Sequence, residues 1–100
     1  MDHDYRLMRD QLSVVIGTAD TELLGPNEKR MAIYISAPAT NRFTLSIKGP
    51  AILDQGITIY PGQAPFYLTY ERIGQAIREG IQAISSGAAQ NVNIWDIFRL

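Results

Sequence analysis

Arg30-Met31-Ala32-Ile33-Tyr34-Ile35-Ser36 and, after a five-residue break, Arg42-Phe43-Thr44-Leu45-Ser46-Ile47-Lys48 are the stretches whose reading decides the fold. The second alternates strictly. Phe43, Leu45 and Ile47 fall on one side; Arg42, Thr44, Ser46 and Lys48 fall on the other. A period of two belongs to a strand with one face on a core and one in water. In the first stretch Met31, Ile33 and Ile35 share one side, and Ala32, Tyr34 and Ser36 share the other. The break between them, Ala37-Pro38-Ala39-Thr40-Asn41, is made of turn formers, so the two strands are expected to pair as a hairpin.

Working outward, the same grammar repeats. Leu12-Ser13-Val14-Val15-Ile16 is β-prone and stops at Gly17. Thr18 to Lys29 is mostly turn-forming, with Leu23-Leu24 expected to plug a sheet edge before the Gly25-Pro26-Asn27 turn. Ile57-Thr58-Ile59-Tyr60 and Phe66-Tyr67-Leu68-Thr69-Tyr70 read as strands, separated by Pro61-Gly62-Gln63-Ala64-Pro65. Between Glu71 and Ser86, Ile73, Ile77, Ile81 and Ile84 form a helical stripe. Gly74 and Gly80 oppose a continuous helix, each by up to ~1 kcal/mol relative to alanine. The favoured reading is a turn or single helical turn near Ile73–Ile77, then a strand at about Gly80–Ser85.

Val92 to Phe98 closes the set and is apolar on both faces: Val92, Ile94 and Phe98 on one, Trp95 and Ile97 on the other. Such a strand is usually covered on both sides, here by its own core and by either a neighbouring subunit or the N-terminal segment. Short strands at even spacing with Gly/Pro turns indicate an all-β chain: a single small β-sandwich or jelly-roll-like domain over residues 12–100. Residues 1–11 differ, carrying Asp2, Asp4, Arg6, Arg9 and Asp10. Tyr5, Met8 and Leu12 are spaced three and four apart, which suits a short helix or an arm that orders on a partner; a frayed terminus is the alternative.

Composition removes whole classes of chemistry. There is no cysteine, so disulfides, thiolate catalysis and cysteine metal sites are out. The net charge is −1 and the one adjacent basic pair is Lys29-Arg30, which argues against nucleic acid as a ligand. No apolar run approaches the ~18 residues of a membrane span, and the opening residues do not read as a signal peptide. The single histidine, His3, lies in the terminal segment, where fixed acid–base geometry is not expected. Asp2-His3-Asp4 lacks the spacing of a metal cage, so no metal or cofactor is expected. Asp20, Glu22, Asp54, Glu71, Glu79 and Asp96 are the acids a paired-carboxylate mechanism would draw on. All but Asp96 sit in or beside turns. Asp96 stands among apolar neighbours, where an ion pair with Arg30, Arg42 or Arg78, or a gatekeeper charge on a sheet edge, is expected. No catalytic residue is assigned, and the chain is expected not to be an enzyme.

Tyr34, Tyr60, Tyr67, Tyr70 and Trp95 are read first as core or interface anchors and second as a carbohydrate-binding platform. The candidate interface residues are Tyr5, Met8, Leu12, Trp95 and Ile97.

From Leu23-Leu24-Gly25-Pro26-Asn27-Glu28-Lys29-Arg30-Met31-Ala32-Ile33-Tyr34-Ile35 onward the chain resembles the small β-rich structural proteins of tailed bacteriophages. The likeness continues through Phe43 to Ile47, Gly56 to Ile59 with Pro61-Gly62, Ile73-Gly74 to Ala83-Ile84, Ser86-Gly87 and Val92-Asn93-Ile94. It spans roughly residues 20–97 and departs at the charged N-terminal dozen. The resemblance implies a domain made in the host cytoplasm and placed on a virion, most simply as a head decoration or cement protein bridging major capsid protein subunits. A neck, tail or fibre position is the alternative. It also implies a homo-oligomer, a trimer suiting local threefold axes of a shell, with neither nucleic acid nor membrane as partner.

Overall fold

In the structure, a computed structural model that describes residues 7–38, 40–87 and 90–99 (the side chains of residues 7–10 excepted), the two alternating stretches lie in different sheets. The strands are β1 (Leu7–Ile16), β2 (Thr21–Leu24), β3 (Arg30–Ile35), β4 (Phe43–Ile47), β5 (Ile57–Ile59), β6 (Phe66–Thr69), β7 (Ile81–Ser85) and β8 (Gln90–Arg99). A short helix, α1 (Tyr70–Ile73), and a 3-10 turn at Gly74–Arg78 join β6 to β7.

The expected hairpin between Arg30–Ser36 and Arg42–Lys48 is not formed. β3 pairs with β6 and β8, whereas β4 pairs with β5 and β7. The connection between them crosses from one sheet to the other and is pinned by Gln90, a buried side chain. Its Oε1 accepts from the amides of Thr40 (3.0 Å) and Asn41 (2.9 Å), and its Nε2 donates to Ser85 Oγ (3.2 Å). Both strands were read with the right inner face. They present those faces to each other across the core instead of lying side by side.

The chain is all-β, a sandwich of two antiparallel four-stranded sheets ordered β1-β8-β3-β6 and β2-β7-β4-β5. β1 pairs with β8, β2 with β7, β3 with β6 and β4 with β5, all antiparallel. The first half of the chain thus pairs in reverse order with the second, which is the connectivity of a jelly roll. Ile33, Ile35, Val92 and Ile94 of one sheet meet Phe43, Leu45, Ile59, Ile81 and Ala83 of the other in the core.

The isoleucine stripe resolves as the glycines indicated. Thr69 caps α1, its hydroxyl accepting from the Arg72 amide. Gly74 adopts φ +63°, open to glycine and disfavoured for other residues, which ends the helix after one turn. β7 then runs in the expected place.

Three local expectations are overturned. Leu7–Gln11 is strand, continuous with residues 12–16 and paired to β8 from Leu7↔Arg99 onward, so no helix forms there and this part of the N-terminal segment is built into the sheet. The ladder of cross-strand bonds to β8 outcompetes the helical spacing. Thr21–Leu24 is a strand, not a turn, although Leu23 and Leu24 are buried at a sheet edge as expected. A register shift against β7 between Glu22 and Leu24 makes this possible, because the extra residue breaks the alternation. Thr44, expected in solvent, is fully buried. The loop from Gly49 to Gly56 folds over the outer side of β4, where Thr44 Oγ1 lies 3.0 Å from Thr58 Oγ1 and accepts from the Asp54 amide at 2.9 Å.

That loop is fixed by further contacts. Asp20 accepts from the Ala51 amide (2.8 Å), and Arg42 donates Nε and Nη2 to the two oxygens of Asp54 at 2.8 and 2.7 Å. The hydrogen bonds from Arg42 hold the Asp54 carboxyl below its ordinary pKa. A carboxyl lowered by folding contributes stability above its unfolded pKa and loses it as pH falls through the lowered value. Protection of the Asp54 amide from hydrogen exchange is therefore expected to be constant near neutral pH and to fall in strong acid. Protection that persisted with Asp54 protonated would remove Arg42 as the cause. A Cβ on Gly56 would lie 2.5 Å from the Leu45 carbonyl oxygen and 3.2 Å from Thr44 Cγ2. Gly56→Ala is expected to destabilise the protein by about 1–3 kcal/mol in urea titrations, the usual penalty of overpacking. An unchanged midpoint would show that the loop moves freely.

Candidate functional site

β3 and β8 set up two different environments on the two faces of one sheet. The inner one is built around Arg30 and Asp96. Alternation alone would turn Arg30 outward with Ala32 and Tyr34. The register against β8 runs Arg30↔Phe98 and then Ala32↔Ile97, leaving Met31 as an extra residue. This bulge turns Arg30 inward. Its guanidinium is 1% exposed and uses every N–H. Nε donates to Asp96 Oδ1 (2.9 Å) and Nη2 to Asp96 Oδ2 (3.5 Å). Nη1 donates to the carbonyls of Ile77 and Glu79, both at 3.0 Å, and Nη2 to the carbonyl of Gly25 at 2.7 Å.

Of the three partners expected for Asp96, the structure selects Arg30. Arg42 pairs with Asp54, and Arg78 donates to the Arg30 carbonyl (3.2 Å) while its guanidinium lies 4.4 Å over the Tyr70 ring. Both Asp96 oxygens accept from Arg30, so this acid is a structural anchor. Among the described residues no three His, Cys, Asp or Glu side chains gather as a metal site. His3 lies outside the described residues.

The outer face of the same sheet carries an aromatic row among polar residues such as Gln11, Ser13 and Asn93. Trp95 of β8 stands opposite Tyr34 of β3, and Tyr34 opposite Tyr67 of β6. Trp95 and Tyr34 are stacked, with centroids 5.3 Å apart and planes 29° apart. Tyr67 meets Tyr34 edge-on at 6.1 Å and 68°. The neighbouring row places Ile97 opposite Ala32, and Ala32 opposite Thr69. Tyr67 is 49% exposed; Tyr34, Trp95 and Ile97 are half-buried. Cross-strand aromatic pairs of this kind stiffen a sheet by roughly 0.5–1.5 kcal/mol each beyond burial.

Of the residues singled out from sequence, Trp95 and Ile97 therefore share one face. Leu12 does not join them: it pairs with Ile94 and lies on the inner side of β1, 39% exposed. Met8 is placed in β1 opposite Phe98, its side chain outside the described residues, as is Tyr5. Tyr34 and Tyr67 complete the face, and only the register of β3 against β8 and β6 brings them there.

A cleft of about 520 Å³ lies at the Arg30 end of the sandwich, lined by Pro26, Glu28, Gln75, Arg78, Glu79 and Arg99. Among the described residues its lining holds no serine, histidine or cysteine; its acids are Glu28 and Glu79. It offers charged groups of both signs, with a lining more polar than is usual for a small-molecule site.

Set against known proteins, no family model matches the chain, and no curated protein matches it. The chain is similar to a solved structure described as Bacillus endospore appendages, a novel family of disulfide-linked pili. It is 8% identical, with a TM-score of 0.57 over 100% of this chain and 94% of that one. At this identity the likeness concerns the fold.

Removing one partner of a buried ion pair typically costs about 3–5 kcal/mol. Arg30→Met is expected to fall in or above that range by urea unfolding, because three carbonyls lose their donor along with Asp96. Arg30→Met combined with Asp96→Leu should recover little, for the same reason. Full recovery in the double variant would mean that the carbonyl contacts carry no energy.

Proposed function

We propose that this protein is a non-enzymatic structural protein that acts by binding other proteins in a larger particle. The observation that carries this reading is the outer face of the β1-β8-β3-β6 sheet: Tyr67, Tyr34, Trp95 and Ile97 held on a stiff scaffold. Aromatic residues set in rigid surroundings are favoured contact anchors. The particle we favour is the virion of a tailed phage, with the protein as cement or decoration on the head, contacting the major capsid protein as a homo-oligomer. A neck, tail or fibre position is the alternative. The jelly-roll connectivity suits this setting, since the same architecture recurs in viral capsid domains.

The similar solved structure offers a related precedent, a subunit of pili. Those pili are described as disulfide-linked, and this chain has no cysteine. A comparable assembly of this chain would hold without disulfides, with buried area and repetition supplying strength.

Carbohydrate binding is the second reading, supported by Tyr60 and Tyr67, each about half exposed. Sugars stack on an open ring face. Trp95 already covers one face of Tyr34, and Tyr67 abuts it edge-on, so the row is a ridge of rings packed against one another. A glycan array with Tyr67→Ala as control decides this reading: uniform silence removes it.

Quantitative mass spectrometry of purified particles tests the first reading. On the order of hundreds of copies per particle places the protein on the shell, and about six or twelve places it at the neck or tail. Tyr34→Ala with Trp95→Ala is expected to reduce incorporation at least about tenfold, the scale set by losing two anchor residues, while circular dichroism stays native. Incorporation at the unaltered level would remove this face from the contact.

A further inference from the structure

The two sheets end in four edges: β1 and β6 in one sheet, β2 and β5 in the other. Exposed edges present unpaired N–H and C=O groups, and proteins blunt them by shortness, bulges, charge or proline. Three edges here are blunted in those ways. β5 is 3 residues long. β2 is 4 residues long, with a register shift and an exposed Glu22. β6 is 4 residues long and follows Pro65.

β1 is different. It is 10 residues long, and among the described residues it pairs with β8 alone. From Gln11 to Ile16 it carries neither charge nor proline. Leu12, on the inner side, is 39% exposed, and Val15, on the outer side, is 57% exposed. Beyond the charged pair Arg9-Asp10, the edge is uncharged from Gln11 to Ile16 and exposes one apolar side chain on each side, Leu12 and Val15, beside the polar Gln11 and Ser13; such a stretch is open to pairing.

We propose that β1 is a homodimer interface, in which β1 of one copy pairs antiparallel with β1 of a second across a two-fold axis normal to the sheet. Length selects the occupant: the other edges of this chain offer 3 or 4 residues, and only a second β1 matches 10. A two-fold pairing also keeps faces in register, so the two outer faces form one surface and the two inner faces another. Leu12 and Val15 of each copy are then shielded by the other strand. Two-fold dimers are the most common closed assembly of identical chains. The dimer goes beyond the proposed function and does not depend on which particle the protein serves.

Sedimentation equilibrium of the full chain tests this at concentrations up to about 100 µM, the range in which weak dimers show. Wild type is expected at twice 11.1 kDa. Leu12→Lys with Val15→Lys is expected to raise the dimer Kd at least about tenfold, with native Trp95 fluorescence. A second measurement uses the absence of cysteine. Single cysteines placed at residues 11 to 15 in turn and oxidised should cross-link most strongly at one position and fall away on either side. A disulfide needs Cα atoms within about 7 Å, which self-paired residues meet only near the axis. A monomer throughout this range, a trimer, or a dimer with no cross-linking along β1 would each overturn the proposal. Incorporation into particles by a monomeric wild type would overturn the dimer and leave the proposed structural role standing, without its homo-oligomer.

Discussion

The guanidinium of Arg30 is the point to which the rest of the fold is tied. A buried charge is tolerated only when it is paired and its hydrogen-bonding capacity is filled. Here one side chain meets the carboxylate of β8, the carbonyl ahead of β3 at Gly25, and two carbonyls on the approach to β7. These segments belong to both sheets. The contact therefore sets how the sheets sit over each other at this end of the sandwich. It also requires a backbone irregularity, since Arg30 reaches the interior only because Met31 is an extra residue against β8. The bulge and the ion pair stabilise one another: without the bulge Arg30 faces water, and without Arg30 the bulge leaves three carbonyls without their guanidinium donor.

What the sequence made legible follows from what a period of two can encode. It assigned the inward sides of Phe43 and Leu45, and of Ile33 and Ile35, and the structure buries all four. It does not encode which sheet each strand joins, because inward-facing residues satisfy the same pattern side by side or across a core. The hairpin between β3 and β4 failed on that ambiguity, with Gln90, remote in sequence, holding the crossing. Bulges escape the period altogether, which hid the inward turn of Arg30 and the strand at Thr21–Leu24. Thr44 was misread for a third reason: a loop closes over it, and loop docking is a tertiary event. The glycines between Ile73 and Ile84 were more informative, because a local backbone preference opposed a longer pattern and the local term won.

The proposed contact face was half legible. Trp95 and Ile97 declared themselves as the second apolar side of a strand already apolar on its first. Tyr34 and Tyr67 were visible as aromatics, but their place in one row depends on two cross-strand registers. Leu12 was grouped with the N-terminal segment by helical spacing. In the strand that forms instead, it falls on the opposite side of the sheet from Trp95.

The edge and the face are not independent features. Gln11 stands opposite Trp95, so the row Trp95, Tyr34, Tyr67 begins one strand away from the β1 edge. Pairing two copies through β1 would set two such rows on one continuous outer surface, related by the two-fold axis. A partner with repeated sites would then meet two anchored faces at a fixed spacing. Binding at the first raises the effective concentration at the second, often by more than any single added contact achieves. A chain without cysteine cannot lock its assembly by disulfides. Joining two proposed contact faces through one paired sheet would give persistence by geometry instead, because dissociation would then require both faces to release together.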